Sequence, residues 1–214
     1  MAKVMIVDDE PDVRELVKIT LQREDHEVLE AKNGREALEK LEEEDPDLIL
    51  LDINMPELDG WETLEGMKKR GIIREIPVMM FTVEKLTFVK MLRKDLENLV
   101  GYIEKPFTRE ELVETVEETL DRTQKIYDLK DKIMESPEGG KDLAEAFLAW
   151  NRTQMIHERL LEKLREMKEE FVDEQKLSRV KNLMRGEERT IEEAEHKRVE
   201  IIQLAGLENL LSED

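Results

Sequence analysis

Residues 47–60 read DLILLDINMPELDG. Leu48 to Leu51 run without a polar break into Asp52. A short uninterrupted apolar run suits a strand buried on both faces, as in a parallel sheet covered by helices on either side. Pro46-Asp47 introduces the run, and Asp59-Gly60 marks a turn beyond it. Runs of the same kind stand at 4–7 (VMIV), 77–81 (PVMMF) and 100–103 (VGYI), and HEVLEA at 26–31 gives a shorter strand.

The segments between these runs carry helical spacing. Pro11 suits a first helical turn, and Val13, Leu16, Val17 and Thr20–Leu21 fall on one face after it. A helix is predicted over 34–44, with Ala37, Leu38 and Leu41 inside. Others are predicted over 61–69 and 85–97. Thr108 and Glu111 form a capping-box pattern that starts a helix with Leu112, Val116 and Leu120 inside. Strands alternating with helices in this way predict an α/β domain with a doubly wound five-stranded parallel sheet.

The apolar runs end on residues with chemistry. Asp8 and Asp9 follow the first run, Asp52 the third, Thr82 the fourth, and Lys105 lies just past the fifth. Strand ends of such a sheet converge on one edge, where ligands bind. Taken singly, each residue reads otherwise: an Asp as a cap, the Thr as a strand residue, the Lys as a solvated cation. Together, in chain order, they read as one site. Clustered carboxylates raise each other's pKa unless a cation neutralises them. Oxygen ligands on a fixed edge suit Mg2+. A metal, an amine and a hydroxyl together match three equatorial phosphoryl oxygens, which leaves Asp52 as the nucleophile of an acyl phosphate.

Residues 1–122 resemble the receiver domain of two-component response regulators, a CheY-like, flavodoxin-like fold. The motifs are DDE at 8–10, LLDINMPELDG at 50–60, FTVE at 81–84 and GYIEKPF at 101–107. The resemblance implies the strand order 2-1-3-4-5. It makes Asp52 the phosphoacceptor and gives Mg2+ (or Mn2+) as cofactor. Asp9, Asp52 and the backbone carbonyl of Asn54 would be its ligands, and Asp8 would hold a metal-bound water. Lys105 would pair with a phosphoryl oxygen, before a cis bond to Pro106. Thr82 and Tyr102 would be the switch pair. A sensor histidine kinase would be the partner that donates the phosphoryl group. Two departures stand out. Val83 is bulkier than the usual residue there, which could slow exchange, and ENLVGY replaces the usual Gly-Ala-Asp pattern before the fifth strand. Asn54 and Glu84 occupy the positions that tune dephosphorylation, and they predict loss of the phosphate within minutes.

The helix from Thr108 shows no stop until SPEGGK at 136–141, and everything beyond reads as helix. Leu143, Phe147, Ile156, Leu160, Leu164, Met167 and Phe171 form a narrow apolar stripe, and Leu177, Val180, Leu183 and Met184 follow. Gly186 is expected to end that helix, and a last one is expected from Ile191 to Leu204. Residues 123–214 are therefore expected to be an all-α extension. It would be a bundle or coiled coil, or else a helical layer folded back on the first domain.

Composition narrows the function. The 214 residues carry a net charge of −20, which repels nucleic acid and anionic membrane surfaces. From Asp121 to Asp214 there are 23 acidic and 17 basic residues, and the nearest thing to a basic recognition helix is KLSRVKNLMR at 176–185. There is no Cys, hence no thiol chemistry. No transmembrane stretch and no signal-peptide pattern are read, so a cytoplasmic protein is expected. No Gly-rich phosphate loop is present, so an ATPase or cyclase is not expected, and the chain is read as no enzyme beyond self-phosphorylation and autodephosphorylation. The expected output is protein–protein contact or homodimerisation through the helical region. The competing readings are a second phosphoryl site at His157 and an atypical DNA reader.

Overall fold

A computed structural model of the chain describes residues 1–72, 76–82, 99–170 and 174–212. Val83, Glu84, the helix expected over 85–97 and Phe171 lie outside the described residues. The chain divides into two compact units, Met1–Thr123 and Gln124–Asp214.

The first unit is a five-stranded parallel sheet. Its strands are β1 (Lys3–Val7), β2 (Glu27–Ala31), β3 (Leu48–Leu51), β4 (Val78–Thr82) and β5 (Gly101–Glu104). The spatial order is β2-β1-β3-β4-β5, as the resemblance implied. Val4 to Val7 and Leu48 to Leu51 are wholly buried, which is why these runs carry no polar residue. The edge strands tolerate charge: Glu27 and Glu30 lie on β2, Glu104 on β5.

Helices α1 (Pro11–Gln22), α2 (Gly34–Lys40), α3 (Gly60–Lys69) and α4 (Arg109–Glu135) alternate with or follow the strands. In α1, Val17, Thr20 and Leu21 are buried, but Leu16, expected inside, is 51% exposed. The buried stripe steps from Val17 to Leu21, and Leu16 sits about 100° away from Val17 around the axis. Helix α2 stops at Lys40, short of the predicted Glu44, and Leu41 caps it. Asp59-Gly60, expected as a turn, instead starts α3: Asp59 accepts from Glu62 N at 2.8 Å, and Glu62 Oε2 accepts from Asp59 N at 3.0 Å. The reciprocal pair satisfies two backbone donors that a helix start leaves open. The predicted capping box of α4 is also present, with Thr108 N donating to Glu111 at 2.7 Å and Glu111 N to Thr108 Oγ1 at 3.1 Å.

Helix α4 is continuous, and the boundary between the two units falls within it. In the second unit its last turns are followed by α5 (Lys141–Glu170), α6 (Glu174–Leu204) and a 3-10 turn at Glu208–Ser212. The turn between α4 and α5 needs glycine, because a Cβ on Gly139 would stand 1.8 Å from the Ile133 carbonyl oxygen. Helices α5 and α6 run antiparallel, with Arg198 donating to Gln154 at 3.0 Å and His157 bonded to Glu187. Phe147, Ile156, Leu160 and Leu164 are buried on α5, and Val180, Ala194, Ile201 and Ile202 on α6. Gly186, expected as a helix end, lies inside α6. An isolated glycine costs a helix about 1 kcal/mol, less than one well-buried leucine contributes, so packing carries the helix through.

Candidate functional site

The site lies at the carboxyl ends of β1, β3, β4 and β5. Asp8 follows β1 and is wholly buried, Asp9 beside it is exposed, and Asp52 follows β3 at 4% exposure. A ligand oxygen from each of the three lies within 4.8 Å of the others, a spacing that one cation can span.

Asp8 and Asp52 are held from behind. The Asp8 backbone N donates to Ala31 O at 3.0 Å, and the Asp52 N donates to Val7 O at 2.9 Å, so the ladder continues past both strand ends. Asp8 Oδ1 accepts from Glu10 N at 2.9 Å. Arg14 Nη1 donates to the Asp8 carbonyl at 2.7 Å, while Arg14 Nε stands 3.6 Å from Glu30. Gly60 closes the site from below. Its N–H donates to Ile53 O at 2.9 Å, and a Cβ there would lie 2.3 Å from the Asp52 carbonyl oxygen.

Lys105 comes to the same place from just beyond β5, with its side chain 6% exposed. It donates to Asp8 Oδ2, and its Nζ is 3.4 Å from Asp52 Oδ1. That Asp52 oxygen is buried and has no hydrogen-bond partner. Burial pushes the Asp52 carboxyl above its ordinary range, and the charge of Asp8 adds to the push, while the Lys105 ammonium opposes it. One lysine therefore serves two buried carboxylates, and Asp52 Oδ1 is left without a hydrogen-bond partner. The carboxylate oxygens are hard, anionic and close together, the donor set that Mg2+ takes. The residues present fit a divalent cation.

Thr82 closes β4, across from Glu104 in the ladder, and Tyr102, half-buried on β5, pairs across with Met80. Asn54 is exposed two residues beyond Asp52. The Lys105–Pro106 bond is cis. The structure thus brings Asp8, Asp9, Asp52 and Lys105 together in space and sets Thr82 at the end of the neighbouring strand. His157 lies in the second unit, with Nδ1 bonded to Glu187 on the facing helix, the contact expected of a residue on a helix seam. Sequence reasoning missed Arg14 and Gly60. Arg14 is signalled only by its place in the first turn of the helix after Asp8-Asp9. Gly60 is visible as a glycine, but its closeness to Asp52 is a tertiary fact.

Comparison with known proteins gives a consistent result. The family model of the response regulator receiver domain matches residues 4–117. Over 122 residues the chain is 35% identical to the alkaline phosphatase synthesis transcriptional regulatory protein PhoP of Bacillus subtilis (strain 168), covering 57% of this chain and 50% of that one. The chain therefore spans about half the length of that curated relative. The chemotaxis protein CheY4 of Vibrio cholerae matches at 34% identity with a TM-score of 0.51, over 56% of this chain and 98% of its own. The receiver domain of the Francisella response regulator 1452 matches at 28% identity with a TM-score of 0.52, over 57% of this chain and 99% of its own.

Proposed function

Because the chain belongs to the response regulator receiver domain family, we propose that it is a phosphorylation switch of a two-component system with Asp52 as the acceptor. The observation that carries this reading is the cluster of Asp8, Asp9 and Asp52 with the Lys105 ammonium drawn in among them. The donor is the phosphohistidine of a sensor kinase or a small acyl phosphate. One Asp52 carboxylate oxygen attacks phosphorus. The bond from phosphorus to the donor nitrogen or oxygen breaks, and its electron pair stays with the donor. Lys105 would pair with one phosphoryl oxygen and the Thr82 hydroxyl with another, stabilising charge there. Asp8, Asp9, Asp52 and the Asn54 carbonyl would hold Mg2+, which supplies neutralisation of the carboxylates and the incoming phosphoryl charge. Asn54 and Glu84 occupy the sequence positions that would tune the return hydrolysis, and Glu84 lies outside the described residues. The chain turns over no separate substrate.

The signal leaves through Thr82 and Tyr102, which remodel the face around β5 when the phosphoryl group arrives. The output is protein–protein contact or self-association through the helices after Thr123. The support for that route is α4, one helix from Arg109 to Glu135. Among the described residues no helix is long and apolar enough to cross a membrane.

Incubation with a small acyl phosphate and Mg2+, followed by intact-mass measurement, should add one phosphoryl group to the wild type and none to Asp52→Asn. Label retained in Asp52→Asn overturns the assignment. Light scattering with and without a beryllofluoride mimic should then show a change of mass or shape. An unchanged mass together with retention on DNA at moderate salt moves the output to nucleic acid. His157→Gln should leave labelling at Asp52 unchanged, and its failure to do so would favour a phosphorelay.

A further inference from the structure

Beneath Lys105 lies an aromatic ring that none of the carboxylate chemistry uses. Phe81 is wholly buried at the penultimate position of β4. The Lys105 Nζ stands 4.9 Å from its ring centroid. A cation within about 6 Å of a ring face is attracted by the ring quadrupole, more strongly where water is excluded. The Phe81 ring is in turn fixed by Phe107, at 4.9 Å between centroids and tilted by 53°. A tilted arrangement at this separation avoids the disfavoured face-to-face sandwich.

Lysine is a flexible stem ending in a point charge, so its ammonium does not hold a position by itself. Here two carboxylates compete for it: Asp8 holds it, and Asp52 stands 3.4 Å away. The ring gives it a third anchor that is neither acidic nor displaced by a cation or an incoming phosphoryl group. It also removes water from one side of the ammonium, which strengthens the charge presented to an arriving oxygen.

We propose that Phe81 is a positioning residue for Lys105: its ring, braced by Phe107, holds the ammonium at the height where a phosphoryl oxygen on Asp52 would meet it. This rests on the reading of Asp52 as the phosphoacceptor. Phe81 touches no reacting atom. Its effect passes wholly through Lys105.

The test separates ring electrostatics from packing. Phenylalanine analogues with one, two and three ring fluorines are placed at position 81 in the full chain. They keep the ring shape and weaken its quadrupole in steps. The rate of Asp52 phosphorylation by a small acyl phosphate with Mg2+ is measured for each. A stepwise fall is expected, reaching roughly fivefold to tenfold for the trifluoro ring. Phe81→Leu should match the low end. A second readout needs no phosphorylation. The Lys105 ε-methylene resonance should be shifted upfield by the ring in the wild type and return towards its ordinary position in Phe81→Leu. A flat rate series in a wild type that is labelled at Asp52 overturns the role of Phe81 alone, as does an unmoved Lys105 resonance. Absence of label at Asp52 in the wild type overturns the functional reading, and the positioning role with it.

Discussion

Asp52 occupies an electrostatically unfavourable place. It is buried next to another carboxylate, one of its oxygens has no hydrogen-bond partner, and its neighbouring lysine is bonded to Asp8. Its carboxyl therefore stays protonated to higher pH in the folded chain than its ordinary value of 3.8. A group whose pKa is raised by folding favours the fold fully below its unfolded value, and this contribution is lost as pH rises through the folded one. Near neutral pH the ionised side chain thus opposes folding. Asp52→Asn, which removes the charge and keeps the shape, should raise the melting temperature at pH 7 in metal-free buffer. The gain should shrink as pH falls towards the ordinary carboxylate range, where the wild type is protonated in both states. Added Mg2+ should narrow the same gap at pH 7 by stabilising the wild type. Thermal melts across pH with and without Mg2+ check this, and a variant less stable than wild type at pH 7 contradicts it.

At the scale of elements, α3 starts so close to the Asp52–Ile53 backbone just past β3 that the first residue of the helix must lack a side chain. Gly60→Ala places a carbon against the Asp52 carbonyl and the Ile53 backbone. Backbone cannot step aside as a side-chain tip does, so the cost should be about 1–3 kcal/mol in urea unfolding, with a matching loss of Mg2+ affinity as Asp52 shifts. Full stability in that variant would show that the loop adjusts freely. The sequence makes such elements legible only in part. Strands were readable because burial on both faces excludes polar residues from β1 and β3, and the chemistry was readable because it sits where those runs stop. The exposed Leu16, the early end of α2 and the passage of α6 through Gly186 were not readable, because each is decided by what packs against the helix. Phe81 was unreadable for the same reason: an apolar residue in an apolar strand announces burial and says nothing of the lysine that the fold brings over it.

At the scale of the whole molecule, charge and continuity matter most. A net charge of −20 predicts that the chain elutes from immobilised DNA well below physiological salt, in either phosphorylation state. Retention at moderate salt would call for a local basic surface strong enough to overcome it. Continuity concerns α4. Leu112 and Val116 are buried in the first unit, Ile126 and Ile133 in the second, and one run of backbone hydrogen bonds carries all of them. The division between the units therefore falls inside a helix, and neither half can be excised neatly. A chain cut after Thr123 would end in a helix whose last four carbonyls lack their acceptor role in the next turn. The remainder would begin with amides stripped of the turn before. Dissection by truncation would thus report on a frayed helix as much as on a missing unit. Questions about how the two halves depend on each other are better put to the intact chain, by substituting residues inside α4.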